Sequence, residues 1–442
     1  MRIETLIAIG VLTFVALVAA GPILYRNWRR DREIARKLAR ARELGTNETP
    51  SLHPFIDEGK CIGCEECVRG CPEQDVLVRF RHKAVVLNAV ECVGHGVCER
   101  VCPVGAITLV VGTERRGLEL PKLNEVLDTN VPGLFVVGEL GGMGLIRNAI
   151  WQATQAVSHI GSLPRLQPPG GVEVLIGGAG PAGLAAALAA KDAGLTFRIV
   201  DQETVGGSML HYPRRKLVMT HPATLPGVGE FPFREIEKEP LLEFWRKTAL
   251  AKNITVEEGT QLLRVSRDTR SFLAHTSKGD VRAGRVILAL GRRGSPRKLG
   301  VPGEQSAKVM YRLLEPHHHD GRRCAVIGGG SAAIEAALAL AARPGTAVTL
   351  CHRRDTFSGA RASLVEQLLA AEKAGKVEIL RNATVLAVEP DRVRFDVGGQ
   401  ASDRPNDAVF VMIGGTPPYE LLKASGVDLE TKFGAPLLLR SS

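Results

Sequence analysis

Away from one short window the chain has almost no cysteine. Of nine cysteines in 442 residues, seven fall between residues 61 and 102, and the other two, Cys324 and Cys351, stand alone. A disulfide framework is therefore not implied, and the two isolated thiols read as small buried hydrophobes. Aromatic residues are scarce, at 5%, and no nucleic-acid reader motif occurs, so the net charge of +10 does not indicate a nucleic-acid partner. Much of it lies near the amino terminus. Charge is absent from residues 6–25, an apolar run long enough to cross a bilayer. Arg26, Arg29, Arg30, Arg32, Arg36, Lys37, Arg40 and Arg42 follow it, against only Arg2 ahead. Positive charge after the run argues against a cleaved signal peptide. It places the body of the chain in the cytoplasm, behind a single-pass anchor in the inner (cytoplasmic) membrane. The basic stretch is also suited to anionic lipid. Glycine is plentiful, at 48 residues, which suits nucleotide-binding α/β units, and the length leaves room for several domains.

The cysteine window reads Cys61-x2-Cys64-x2-Cys67-x3-Cys71-Pro72, then Cys92-x2-His95-x2-Cys98-x3-Cys102-Pro103. Three thiolates spaced by two residues wrap one iron–sulfur cube on a tight loop, and a fourth Cys before Pro reaches across to the other cube. Cys61, Cys64, Cys67 and Cys102 are thus assigned to one cluster. Cys71, Cys92 and Cys98, with His95 in the fourth seat, are assigned to the second. Zinc also takes Cys and His in CxxC pairs but rarely repeats this pattern, so the window is read as moving single electrons. Over residues 55–110, including Gly105, Ala106 and Ile107 after the second Cys-Pro, it resembles the bacterial two-cluster ferredoxins. It departs from them at His95, where they carry Cys. Three arrangements follow: a four-iron cube with one His ligand, a three-iron cluster with His95 unbound, or a lost second cluster. The unbroken spacing favours His ligation, which would raise that cluster's potential.

Beyond a Pro/Gly linker (Pro164, Pro168, Pro169, Gly170, Gly171), an apolar strand runs into Gly178-x-Gly180-Pro181-Ala182-Gly183 and an alanine-rich helix over 184–193. A second strand, 197–200, ends in Asp201. Glycines admit a pyrophosphate to the backbone, the helix N-terminus stabilises its charge, and Asp201 accepts from a ribose hydroxyl. A second copy starts at Cys324: Gly328-x-Gly330-Ser331-Ala332-Ala333 opens a helix over 333–342, and the strand 347–351 ends in His352-Arg353-Arg354. No acid stands at that strand end. Arginines there suit the extra phosphate of NADP, so NADPH is favoured over NADH.

Residues 118–160 and 172–442 resemble the thioredoxin-reductase-like flavoproteins, through Val205-Gly206-Gly207, Ala289-Leu-Gly291, Val411-Met-Ile-Gly414 and the His352-Arg353-Arg354 motif. The resemblance implies FAD on the first fold, NAD(P)H on the second, and commonly a homodimer. A further arginine of that family falls on Ser358 here, where Arg361 is a substitute candidate. The family's CxxC is absent, which excludes thioredoxin reduction, and the segment from Gly207 to Lys216 looks like that of bacillithiol disulfide reductase relatives; the thiol-free ferredoxin–NADP reductases of the same fold are functional cousins. The order also differs. The FAD-capping strand and helix, with Gly138 and Glu139 at the flavin and a helix over 146–159, precede the first glycine loop instead of closing the chain. A circular permutation explains this and predicts residues 436–439 beside 118–123 and residues 129–155 against 178–183. Glu139 would replace the usual Asp at the ribityl or pyrophosphate end of FAD.

The expected order is a transmembrane anchor (1–25), a basic juxtamembrane helix or linker (26–50), a two-cluster 4Fe-4S ferredoxin-like domain (51–111), a permuted FAD-capping segment (112–163), an FAD-binding domain (172–304), an NAD(P)H-binding domain (305–415) and a return segment (416–442). The fold class is α/β, with two Rossmann-like domains, a small α+β ferredoxin domain and one transmembrane helix. Electrons would run from NAD(P)H through FAD to the clusters and on to a membrane carrier or complex (quinone, cytochrome or ferredoxin), in either direction. Hydride transfer needs stacked rings, so no catalytic side chain is assigned; His211 and Tyr212 are candidates to border the flavin ring. Two other classes fit the motifs. One is an FAD-dependent dehydrogenase of a small substrate, with residues 208–240 lining its pocket and the clusters as electron exit. The other is a membrane-bound redox sensor.

Overall fold

The computed structural model describes residues 3–49, 51–73, 75–114, 117–212, 214, 216–292, 294 and 296–436, with only the backbone at 3–11, 13, 16, 17, 19 and 219. A helix over Ile3–Leu44 opens the chain. Among the described residues no helix is long and apolar enough to cross a membrane. The anchor expected over residues 6–25 is thus without structural support, and much of that run lies outside the described side chains. The other end of the helix is docked on protein. Ile34, Ala41 and Leu44 share one face and are buried. Arg30 and Lys37 pair with Glu65 at 3.1 Å and Asp75 at 3.6 Å, so part of the basic stretch serves the fold and not a lipid surface.

The cysteine window folds between two strands. His53–Ile56 runs antiparallel to Ile107–Val111, and a hairpin, Leu77–Phe80 with Lys83–Val86, lies between the two cysteine runs. Each run turns into a one-turn helix, Glu66–Gly70 or Val97–Arg100, after a left-handed residue, Glu65 (φ 67°) or Gly96 (φ 72°). Left-handed backbone is what folds the thiols back toward one centre.

The largest sheet has the strand order Val256–Glu257, Phe197–Val200, Val172–Gly177, Gly279–Leu288, Ser271–Thr276, Leu262–Asp268. Its central parallel strand, Val172–Gly177, is buried from Glu173 on, which is why it is mostly Val, Ile and Leu, broken only by Glu173. Leu134–Val136, from before the first glycine loop, joins this sheet parallel to the end of Gly279–Leu288. The helix that follows it, Ile146–Ser162, packs on the helix Pro181–Asp192. Alanines at 185, 186, 187 and 190 on one helix and at 153 and 156 on the other are fully buried, and small side chains let the two axes approach. Fully burying a larger neighbour such as Ile150 or Leu184 contributes about 1.5–3 kcal/mol.

The capping segment therefore lies against the first glycine loop, as a permutation requires. The old chain ends also meet, but in a different register from the expected one. Leu429–Lys432 pairs antiparallel with Leu118–Pro121, and Ala435–Pro436 pairs with Val110 and Val111 as a third strand on the cluster-bearing sheet. Pro436 lies beside Val110, not beside 118–123; residues 437–439 lie outside the described residues. Asn130 closes the joint, donating to Gly426 O at 2.9 Å and accepting from Asp428 N–H at 2.8 Å.

The second nucleotide unit is a five-stranded parallel sheet, Val309–Met310, Ala408–Val411, Arg323–Ile327, Ala347–Cys351, Val377–Leu380. The helices Ser331–Ala341 and Ala362–Lys373 pack on it. Leu44, at the end of the first helix, belongs to its core with Phe357 and Ala360.

Candidate functional site

The two cysteine runs build two seats, and the runs cross. Cys61, Cys64, Cys67 and Cys102 line one small cavity with Ile62, Val104 and Ala106. Cys71, Cys92, Cys98 and His95 line the other with Glu73, Val97 and Leu109. Backbone amides of Ala84 and Ala106 donate to the Cys61 and Cys102 sulfurs at 3.4 and 3.2 Å. Burial, then the neighbouring thiols, pushes Cys67 up to about 11 and Cys98 up to about 12; burial also pushes Cys92 to about 11. Such thiols ionise near neutrality only beside a strong positive charge, which cluster iron supplies. The donor set, soft sulfurs with amide donors around them, fits iron–sulfur clusters. Among the described residues no three His, Cys, Asp or Glu side chains group as ligands of a single metal ion.

His95 is held neutral. Burial, then His221, Arg147 and Arg100, lowers it to about 4. Its Nε2 stands 4.0 Å from Glu73 Oε1, which is buried with no hydrogen-bond partner. His221 was not singled out by the sequence; nothing in its local pattern marks it.

A cavity of about 490 Å³ lies where the permuted cap meets the first glycine loop, within the usual range for a ligand site. Gly178, Gly180, Pro181 and Ala182 form one wall, and Gly138, Glu139 and residues 143–146 form another. Asp201, Gly207 and Gly291 complete the expected set, and residues 416–418, 420 and 421 add a wall that sequence reasoning missed. Gly183 does not line the cavity but lets the helix start: a Cβ there would lie 1.7 Å from Gly178 O. Gly206 (φ 132°) and Gly207 (φ 55°) bring the chain to Gly180. Asp201 ends its strand and accepts from the Ala179 and Glu203 amides at 2.6 and 2.7 Å; burial raises its carboxyl above the usual range. Glu139 is exposed at the cavity.

A second cavity, of about 510 Å³, spans both nucleotide units. Gly207, Ser208, His211, Tyr212 and Leu290 face Ala332, Glu335, Met412 and Gly414 across it. Lys216 and Glu335 bridge the units at 3.1 Å, and Arg312 reaches Glu203 at 3.3 Å. Tyr212 lines both cavities, His211 only this one, where it pairs with Glu203.

Gly328, Gly330, Ser331 and Ala333 are not in this cavity, nor is the His-Arg-Arg motif. The segment after His352 folds onto the glycine loop instead. Gly330 bridges Gly359, and Ser331 Oγ accepts from Arg361 N–H at 3.1 Å. His352 covers Gly329, where a Cβ would meet the imidazole at 2.1 Å, and stacks on Phe357 at 4.9 Å. Arg353 and Arg354 stay exposed at the strand end. Arg361, the substitute candidate, is 3.8 Å from Glu91 of the cluster window, and Ser358 packs on Gly45.

Comparison with known proteins gives two family matches. A family described as pyridine nucleotide-disulphide oxidoreductase matches residues 175–440, and one described as a 4Fe-4S dicluster domain matches residues 54–109. The chain is 28% identical to bacilliredoxin reductase Bdr of Bacillus subtilis (strain 168), over 60% of this chain and 82% of that one. It is 30% identical to a ferredoxin–NADP reductase of Ignicoccus hospitalis, over 59% of this chain and 83% of that one. Among solved structures it is similar to the bacillithiol disulfide reductase Bdr (YpdA) from Staphylococcus aureus, with a TM-score of 0.53, 27% identity, and coverage of 60% of this chain and 81% of that one.

Proposed function

The chain belongs to the pyridine nucleotide-disulphide oxidoreductase family, and on that premise we propose that it oxidises NADPH and passes the electrons singly to two 4Fe-4S clusters carried on the same chain. The observation that carries this is the thiol inventory set against the cluster seats. Outside residues 61–102 the only thiols are Cys324 and Cys351. Both are buried, and burial pushes them up to about 11 and about 12. No thiol pair is available to reduce a disulfide, whereas eight cluster-ligand candidates sit on the segment fused to the cap.

FAD supplies the conversion, since it takes a hydride and gives up single electrons. The 178–183 loop and its helix N-terminus would hold the pyrophosphate, Asp201 the ribose, and Glu139 the ribityl or pyrophosphate end. The 510 Å³ cavity would take the nicotinamide, and Arg353 and Arg354, exposed outside it, would meet the 2′-phosphate. The similarity to a ferredoxin–NADP reductase supports NADPH and a one-electron partner. A membrane anchor over residues 6–25, and hence a quinone, cytochrome or ferredoxin acceptor at the membrane, is supported by the charge-free run and by Tyr25 and Trp28. These are exposed, stacked at 6.0 Å, and lie at the end of the run in sequence, as interfacial aromatics would.

The test is anaerobic stopped-flow absorbance with NADPH and, separately, NADH. Flavin bleaching followed by loss of the broad iron–sulfur absorbance, faster with NADPH, supports the proposal. Bleaching of the flavin alone contradicts it.

A further inference from the structure

The two cluster seats are not equivalent. The seat of Cys61, Cys64, Cys67 and Cys102 faces outward: Cys64 is exposed and Ile62 is 63% exposed. Its neighbour Glu65 pairs with Arg30 of the first helix and Arg79 of the hairpin, not with the nucleotide units. The other seat lies at a three-way junction. The His95 ring meets His221 edge-on, with centroids 5.5 Å apart. His221 sits between the strands Leu217–Met219 and Ala223–Leu225 of the first nucleotide unit. Ala223–Leu225 packs on the helix Ile146–Ser162. Arg147 stands in the first turn of that helix, and its neighbours Leu145 and Ile146 line the 490 Å³ cavity. The unpartnered Glu73 Oε1 stands 4.0 Å from the imidazole Nε2. A ligating imidazole commonly donates its second ring N–H to a carboxylate, which fixes the ring.

We propose that the seat of Cys71, Cys92, Cys98 and His95 is the inner one, through which electrons leave the flavin, and that Glu73 and His221 are positioning residues that hold His95 as its fourth ligand. The inference rests on the NADPH-to-cluster reading above. NADPH becomes NADP⁺, losing two electrons and one proton. The proton goes to water, and the electrons pass one at a time through the inner seat to the outer seat and then to an external one-electron acceptor. With Nδ1 ligating, the Nε2–H would be turned toward Glu73 Oε1, 4.0 Å away in this structure.

The test uses the full chain with both clusters and flavin in place. In a dithionite titration followed by electron paramagnetic resonance, Glu73→Gln and His221→Ala are expected to shift the midpoint of one cluster only. The expected shift is on the order of tenfold in its reduction equilibrium, about 59 mV for one electron. It is the same cluster whose signal changes in His95→Cys. A shift of neither cluster, or of the one insensitive to His95→Cys, overturns the proposal. Because dithionite replaces NADPH, this readout stands even if the coenzyme reading fails. With wild-type protein mixed with NADPH and freeze-quenched, the His95-sensitive signal is expected first; its appearance second also overturns the proposal.

Discussion

Glu91, the residue before Cys92, stands 3.8 Å from Arg361, which caps the helix Ala362–Lys373 in the second nucleotide unit. This pair ties the inner cluster loop to the segment folded over the second glycine loop. Arg361 is thereby engaged in the joint, while Arg353 and Arg354 remain exposed.

Coenzyme selectivity should follow from that division. Arg353→Ala and Arg354→Ala are each predicted to raise KM for NADPH about tenfold or more, the usual worth of a hydrogen bond to a charged group, and to leave KM for NADH unchanged. Arg361→Ala should affect the two coenzymes alike. Steady-state kinetics with both coenzymes checks this; loss of NADPH preference in Arg361→Ala alone would reassign the phosphate site.

The two glycine loops should fail separately. A Cβ at Gly183 would meet Gly178 O at 1.7 Å, and one at Gly329 would meet the His352 ring at 2.1 Å. Gly183→Ala is predicted to purify without flavin. Gly329→Ala should keep its flavin, reducible by dithionite but no longer by NADPH. Flavin absorbance after purification and after each reductant reads both outcomes.

The crossed seats predict which cluster each distal cysteine serves. Cys102→Ala should remove the cluster of Cys61, Cys64 and Cys67, and Cys71→Ala the cluster of Cys92, Cys98 and His95. Each should cut iron content by about half and leave FAD bound. Loss of the same signal in both variants would break the pairing.

Asp407 accepts from the backbone N–H and guanidinium of Arg323 at 2.8 and 2.9 Å, joining the starts of two parallel strands. The Arg323 side chain, then its backbone amide, holds the Asp407 carboxyl well below the usual range. A folded-state pKa below the unfolded one gives stability that is present above the unfolded value and is lost as pH falls through the folded one. Asp407→Asn should therefore cost about 1 kcal/mol at neutral pH, the pair being partly exposed. The gap from wild type should close only in strong acid. Urea unfolding at several pH values measures it.

Much of the site is legible in the sequence, for local reasons. Cys-x2-Cys-x2-Cys leaves its fourth seat to a distant thiol, and a strand–glycine–helix run carries its own anion site. The displaced cap is legible because order along the chain is itself a signal. What is not legible is the pairing of units across the joints. The register that places Pro436 beside Val110 is set by how two sheets meet. The contacts His95–His221, Glu91–Arg361 and Gly45–Ser358 join residues more than a hundred positions apart, with no periodicity to announce them. Glu73 could have been suspected from its place after Cys71-Pro72, but its role depends on burial, which the sequence does not show.

The most direct test of the central claim is an anaerobic titration with NADPH, followed by flavin and iron–sulfur absorbance together. About two equivalents of NADPH are expected at the end point, two electrons for the flavin and one for each cluster, with the cluster absorbance falling as the flavin bleaches. An end point at about one equivalent, with the cluster absorbance unchanged, would contradict it.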